Sequence, residues 1–69
     1  MLKSHLALYV ERDYPLEVMA FLCQAEDTDH VEEQCLDAYP SADVLWVEEG
    51  MDVDGAVQRY WNTTSAENQ

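Results

Sequence analysis

Residues 4–25, SHLALYVERDYPLEVMAFLCQA, decide the fold of this chain. Within residues 4–11, the apolar side chains at positions 6, 8 and 10 alternate with those at positions 5, 7 and 9, which is the period of a β-strand. Residues 12–15, RDYP, are typical of a turn because aspartate and proline both favour one. Residues 16–25 have the length and composition of a second strand, so the whole stretch predicts a β-hairpin.

Residues 26–37, EDTDHVEEQCLD, predict a helix after the hairpin. Three consecutive residues carry side-chain oxygens that suit an N-cap: Asp27, Thr28 and Asp29. The pair Asp29 and Glu32 also resembles a capping box, in which each side chain accepts a hydrogen bond from the other residue's backbone. The helix is expected to end near Tyr39, since a proline follows and disfavours helical geometry in the residue before it.

The rest of the chain predicts one strand and one shorter element. Residues 43–49, DVLWVEE, form a third strand that Gly50 ends. Residues 52–61, DVDGAVQRYW, favour a short C-terminal helix because apolar side chains recur at helical spacing, although VQRYW also fits a strand. Residues 62–69, NTTSAENQ, are polar and predict a mobile C-terminal tail after a single compact domain over residues 1–61.

The order ββαβ predicts an α+β fold with a three-stranded antiparallel sheet. The helix makes a right-handed crossover that brings the third strand beside the first, which gives the strand order 2-1-3. The first strand is then central, in agreement with its lack of charge between His5 and Val10. The helix covers one face of the sheet. The first two strands look apolar on both faces, so the second face is covered by the 53–61 segment or by a partner.

The charge balance is extreme. The chain has 69 residues, with 15 Asp and Glu against three Lys and Arg, and a net charge of -12. Solubility of a small domain needs a net charge of only about 2–8 in magnitude. Such a chain is expected not to bind nucleic acid or an anionic membrane directly, but to attract basic proteins. It has no secretory signal and no membrane span, which predicts a soluble, cytoplasmic protein with reduced thiols.

The predicted helix carries an acidic stripe. On a helical wheel of about 100° per residue, Val31, Cys35 and Ala38 lie on the core side and Leu36 lies among the acids. Asp29, Glu33 and Asp37 lie together on the opposite side, with Glu32 beside them. Acids in the first turn are favoured by the helix dipole, but Asp37 is in the last turn. Its repulsion by the carboxylate four residues earlier is also unfavourable, so local stability does not explain the stripe.

The spacing of these acids suits a phosphate mimic. Side chains four residues apart on a helix are about 5–6 Å apart, and alternate strand residues about 6.5–7 Å apart. Both spacings are close to the step between phosphates along a nucleic-acid strand, so the acids would fit a groove lined by Lys and Arg. The alternative is a solvated acidic face without a partner. The candidate partner-binding residues are Glu26, Asp27, Asp29, Glu32, Glu33, Asp37, Glu48, Glu49, Asp52 and Asp54.

Other chemistry is weakly supported, and neither a catalytic residue nor a cofactor is expected. Structural zinc sites favour closely spaced cysteine pairs, whereas Cys23 and Cys35 are far apart and suit a core. Nothing marks an orienting group for a thiol–imidazole nucleophile made of Cys23 and His30. Residues 52–55, DVDG, lack the further acids of an EF-hand calcium loop. A chain of this size cannot shape a sugar cleft around paired carboxylates.

The large aromatic side chains are interpreted as core residues. A tryptophan or tyrosine at the border of an acidic face can instead anchor a protein interface, and that alternative stays open. The residues concerned are Phe21, Trp46, Tyr60 and Trp61.

In size, acidity and α/β pattern the chain resembles the small phage-encoded anti-CRISPR proteins, and within them the DNA mimics that inhibit type I systems. The stretches that carry the resemblance are residues 26–37 and the later WVEEGMDVD, residues 46–54. No motif defines that group, so no site residue is transferred from it. The resemblance implies a non-enzymatic inhibitor, made from a phage or mobile element in the bacterial cytoplasm, that acts as a monomer or weak dimer.

The partner implied by this resemblance is the basic DNA-binding surface of a Cas effector subunit, with types I-C and I-F as the first candidates. Two alternatives remain. One is a DNA-mimic decoy of a restriction enzyme, a repressor or a nucleoid protein. The other is a protein–protein adaptor or antitoxin-like module that binds through the second sheet face and carries charge only for solubility.

Overall fold

The computed structural model describes residues 1–67 and contains three strands and two helices. The strands are β1 (Lys3–Glu11), β2 (Tyr14–Ala25) and β3 (Ala42–Glu49). Helix α1 (Thr28–Ala38) connects β2 to β3, and helix α2 (Val53–Glu67) follows β3. The predicted order ββαβ with a C-terminal helix is confirmed.

The sheet has the order β2-β1-β3, and both pairings are antiparallel, as predicted. Strand β1 is central, and its residues from His5 to Val10 are all buried. Leu8 lies opposite Ala20 on one side and Trp46 on the other. Cross-strand partners share a face of the sheet, so this register assigns the side chains of all three strands to one face or the other.

The hairpin turn is shorter than the predicted range 12–15. Only Arg12 and Asp13 form the turn, and Tyr14 already belongs to β2. Pro15 therefore lies inside the strand. This position is compatible with proline because β2 is an edge strand and residue 15 lies in an irregular stretch without a partner in the β1–β2 register.

Helix α1 begins two residues earlier than the predicted capping box requires. Asp27 is the N-cap, and its Oδ1 accepts a hydrogen bond from the backbone N–H of His30 at 2.8 Å. The capping box of Asp29 and Glu32 is therefore wrong, because both residues lie inside the helix. The predicted end near Tyr39 is confirmed: this residue is the C-cap, and its N–H donates to the carbonyl oxygen of Cys35 at 2.8 Å.

The two helices cover opposite faces of the sheet. Val31 and Cys35 of α1 are fully buried against a face that includes Ala7 and Tyr9 of β1. On the other face, Ala56 of α2 packs with Leu6 and Leu8 of β1. Partly buried side chains complete this second cluster: Val18, Trp46, Val53, Val57 and Tyr60. The expectation that the C-terminal segment covers the second face is confirmed.

Helix α2 is longer than predicted. It continues past residue 61 to Glu67, so residues 62–67 extend the helix and do not form the predicted tail, while residues 68–69 lie outside the described residues. Asp52 directly precedes the helix, and its Oδ1 accepts a hydrogen bond from the N–H of Gly55 at 3.1 Å. A Cβ atom at position 55 would overlap that carboxylate, so glycine is what permits this close approach.

Two side chains predicted as core are exposed. Ala38, at the last position of α1, is exposed. Trp61 is 50% exposed, although its ring packs edge-on against Tyr60 with centroids 5.2 Å apart. Phe21, Trp46 and Tyr60 pack against the two clusters as predicted.

Candidate functional site: the acidic surface of helix α1

Asp29, Glu33 and Asp37, here called the acidic stripe, lie on the solvent-facing side of α1 and are all exposed. Val31 and Cys35, on the opposite side of the helix, are fully buried and hold this orientation. Glu32 is also exposed, on the flank of the stripe. Because the opposite side of α1 is buried against the sheet, the three carboxylates point into solvent.

The acidic stripe is not neutralised by the chain's own cations. Lys3 pairs with Glu49, Arg12 with Asp43 and Arg59 with Glu48. Within residues 1–67, none of these cations forms an ion pair with an α1 carboxylate. The last turn of α1 also contains no basic residue, so the negative end of the helix dipole adds to the charge of Asp37.

An apolar side chain lies within this acidic surface. Leu36 is 38% exposed, as its wheel position among the acids predicts. Glu26 and Asp27 precede the first turn of the same helix and are exposed. Asp27 has a structural role as well, because one of its oxygens accepts the capping hydrogen bond.

Three of the predicted binding residues lie on the other side of the sheet. Glu48 is the cross-strand partner of Leu6, which places it on the α2 face. Asp52 caps α2 and Asp54 lies in its first turn, on that same face. The sheet therefore separates these three carboxylates from the acidic stripe, and a single flat partner surface cannot contact both groups.

Glu48 is hydrogen-bonded and ion-paired within the protein. The Arg59 guanidinium donates two hydrogen bonds to its carboxylate, one of them from Nε to Oε1 at 2.9 Å. The Trp46 indole N–H donates to the same Oε1 at 2.8 Å. These contacts, with Arg59 as the main cause, lower the pKa of Glu48. The carboxylate is already matched by a cation, so it offers little charge to a partner.

The lowered pKa predicts an acid-dependent contribution of Glu48 to stability. A carboxylate whose pKa is lower in the folded state stabilises the fold above its unfolded pKa, and this stabilisation is lost as the pH falls through the folded value. We expect Glu48→Gln to be less stable than the parent at pH 7, with the difference shrinking below about pH 4.3. Urea unfolding of both proteins from pH 7 to pH 3 measures it. A difference that stays constant over this range would contradict the ion pair as the cause.

Glu49, the remaining predicted residue, forms only a weak pair. Its Oε1 lies 3.8 Å from Lys3 Nζ, and both side chains are more than half exposed. Exposed pairs of this kind contribute about 0–1 kcal/mol. Glu49 lies opposite His5 in the register, on the α1 side of the sheet, so its position allows it to extend the acidic surface of α1.

The two cysteines and the DVDG segment, residues 52–55, have structural roles. Burial raises the pKa of both Cys23 and Cys35, which keeps the thiols protonated and weakly nucleophilic. Residues 52–55 form the start of α2, where the Asp52 side chain caps the helix. Within the described residues, no group of three or more His, Cys, Asp or Glu side chains lies close enough together to hold a metal ion.

A concave site that the sequence analysis missed lies at the hairpin end of the sheet. It has a volume of about 330 Å³, and its walls are Tyr9, Glu11, Tyr14, Glu17, Met19 and Tyr39. The available signal was that three of the chain's four tyrosines flank the hairpin and the end of α1. That signal does not show that the three rings meet, because residue 39 is far from the hairpin in sequence.

Comparison of the chain with models of protein families, with curated proteins and with solved structures found no match. Neither helix in the described part of the chain has the length and apolar character needed to cross a membrane.

Proposed function

We propose that this protein is a non-enzymatic inhibitor that mimics the phosphate charge of DNA and blocks the DNA-binding surface of a type I CRISPR surveillance complex. The observation that carries the proposal is the acidic stripe of α1, which is exposed and has no Lys or Arg partner within residues 1–67. The proposal places the protein in the cytoplasm of the bacterial host.

The energetics of α1 support a role for the stripe beyond folding. The pairs Asp29–Glu33 and Glu33–Asp37 are like charges four residues apart, and each costs about 0.2–0.5 kcal/mol. Asp37 also faces the unfavourable end of the helix dipole. No packing contact requires a carboxylate at these exposed positions. Contact with a basic partner would offset the repulsion among these carboxylates, because each would then lie near a positive charge.

The spacing of the stripe supports DNA as the molecule that is mimicked. Carboxylates one helical turn apart repeat at about 5–6 Å, so three of them span two phosphate steps of one strand. Leu36 lies beside them and is 38% exposed, which gives the surface an apolar contact as well as charge. The acids on the α2 face are not part of this surface, because the sheet lies between them.

Competition and salt dependence test the proposal. Purified type I-C and type I-F complexes, loaded with guide RNA, are titrated with the protein at about 50 and 500 mM salt, with and without target DNA. We expect binding that excludes DNA and weakens at least about tenfold at the higher salt, because screening reduces attraction between exposed charges. Simultaneous binding of protein and DNA would contradict the proposal. Binding only to another DNA-binding protein would favour the decoy alternative.

A second candidate, a protein–protein adaptor, is favoured by a different observation. Leu16 and Leu22 of β2 are 94% and 46% exposed, because α2 does not reach over the outer part of this edge strand. Apolar binding through this strand would be insensitive to salt, which the same titration distinguishes from phosphate mimicry.

A further inference from the structure

The concave site at the hairpin end, here called the tyrosine pocket, combines aromatic walls with negative charge. Its tyrosines come from three places in the fold: Tyr9 from β1, Tyr14 from β2 and Tyr39 from the C-cap of α1. Glu11 and Glu17 supply two carboxylates, and the volume is about 330 Å³. Nothing in the proposed phosphate mimicry uses this pocket.

An irregular stretch of the β1–β2 ladder borders the pocket. Tyr9 pairs with Met19, but the next pair is Glu11 with Tyr14. From one pair to the next the chain advances two residues along β1 but five along β2, so β2 has three surplus residues, which make a bulge. Bulges redirect side chains away from the regular alternation of a strand. This places both Tyr14 and Glu17 at the pocket wall.

The aromatic side of the pocket is held by ring contacts. Tyr9 and Tyr39 are stacked, with ring centroids 5.0 Å apart and planes 21° apart. Phe21 meets Tyr39 edge-on, with ring centroids 6.2 Å apart. Tyr9 is only 4% exposed, whereas Tyr39 and Tyr14 are 40% and 66% exposed, so the latter two offer open ring surface to a ligand.

The charge of the pocket is negative and comes from its carboxylates. Burial, together with a hydrogen bond to Tyr39, raises the pKa of Tyr9 to about 12, so its phenol stays neutral at physiological pH. Within residues 1–67, Glu11 and Glu17 form no ion pair. Arg12, the nearest cation in sequence, pairs with Asp43 through an Nη2–Oδ1 distance of 3.6 Å.

We infer that the tyrosine pocket binds an arginine side chain presented by a basic protein partner. A guanidinium is planar, stacks on aromatic rings and donates paired hydrogen bonds to carboxylates. It can therefore interact with both the tyrosine rings and the glutamate carboxylates of the pocket. A lysine ammonium is more strongly hydrated and does not stack in this way. An anionic ligand is repelled by both glutamates.

The pocket lies next to the acidic stripe. Tyr39 follows α1 directly and Asp37 is two residues before it, so a basic surface that contacts the end of the stripe also reaches the pocket. The inference thereby deepens the proposed function, on which it rests for the identity of the partner. The binding of arginine itself is measurable on the isolated protein.

The test is a titration of the isolated protein with N-acetyl-arginine amide, followed by the NMR signals of the tyrosine rings. N-acetyl-citrulline amide is the matched probe, since it has nearly the same shape without the charge. We expect arginine to shift the signals of Tyr14 and Tyr39 saturably, at least tenfold more tightly than citrulline, while Tyr60 on α2 stays unchanged. Equal affinity for the two probes, or shifts that do not favour the pocket rings, would overturn the inference.

A pair of double variants makes the test specific. Glu11→Gln with Glu17→Gln removes the two pocket carboxylates, and we expect arginine affinity to fall at least tenfold. Asp52→Asn with Asp54→Asn removes the same charge from the α2 side of the sheet, away from the pocket and the stripe, and is expected to leave the affinity within about twofold. Folding is checked by circular dichroism. Equal affinities of the two variants would overturn the assignment of the site.

Failure of this inference is distinguishable from failure of the proposed function. Selective arginine binding by the isolated protein supports the pocket even when no surveillance complex is bound. Absence of that binding, with inhibition retained, overturns the pocket and leaves the phosphate mimicry standing.

Discussion

Replacing both Glu33 and Asp37 by lysine is expected to abolish the proposed inhibition of a type I surveillance complex. The double substitution turns two attractive contacts with a basic surface into repulsive ones. Close charge pairs across interfaces have coupling energies of about 1.5–7 kcal/mol, so the loss of affinity should be about a hundredfold or more. Binding to the purified complex and protection of a phage from interference both measure it.

The same substitutions should not unfold the protein. Both residues are exposed, and a lysine in the last turn of α1 is favoured by the helix dipole. Asp29 also gains an opposite charge four residues away. We therefore expect a urea midpoint at or slightly above that of the parent.

A matched control separates the position of the charge from its amount. Asp43→Lys with Asp54→Lys changes the net charge equally, but Asp43 is the cross-strand partner of Val10 and Asp54 begins α2, so both lie on the opposite side of the sheet. We expect this control to retain most of the inhibition. If both double variants lose inhibition equally, the overall charge matters and not the acidic stripe. If the variant with lysine at positions 33 and 37 still inhibits fully, the stripe is excluded as the binding surface.

Leu8→Ala is expected to remove much of the stability of the domain. Leu8 is fully buried in the centre of the sheet, between Ala20 and Trp46 on the neighbouring strands. Such substitutions cost about 2–5 kcal/mol, because apolar contact is lost and a cavity remains. A domain of 69 residues has only about 3–10 kcal/mol of total stability at the usual value per residue. Urea unfolding followed by circular dichroism measures the loss.

Leu16→Ala is the control for this prediction. Leu16 is 94% exposed, so truncation of the same side chain should change the free energy of unfolding by no more than about 0.5 kcal/mol. A large loss in this variant would mean that Leu16 is covered in solution, which would contradict its exposure in the structure. A small loss in Leu8→Ala would contradict the placement of β1 at the centre of the core.

The local elements were predictable because their signals are short-range. Alternation of apolar side chains in residues 4–11 and the capping and stop residues of α1 act over a few positions, and β1, β3 and α1 agree with them closely. The errors are also local. Asp27 was one of three adjacent residues able to cap α1, and local pattern does not choose among them. Residues 62–67 are polar, and their composition alone does not indicate a helix. They are helical because α2 has already started and is packed through Val53 and Ala56, and a helix that has formed extends readily through polar residues.

The candidate site was only partly predictable. The acidic stripe follows from helical geometry once Val31 and Cys35 are assigned to the core, because the opposite side must then face solvent. The roles of Glu48, Asp52 and Asp54 did not follow. Their placement depends on which face of the sheet α2 covers, and the ion pair of Glu48 with Arg59 joins residues on different elements.

By itself, the sequence determined the strands, the first helix and a net charge of -12, because each depends on local periodicity or composition. The sheet order followed from the element order and the handedness of the crossover. Only the tertiary structure decided which acids share a surface and that three tyrosines form one pocket. The physical reason is that both depend on β-sheet register and on helix packing, which bring together residues that are distant in sequence. If the bulge in β2 or the end of α1 lay at a different position, the pattern of apolar and polar residues would be the same, but the pocket would not form.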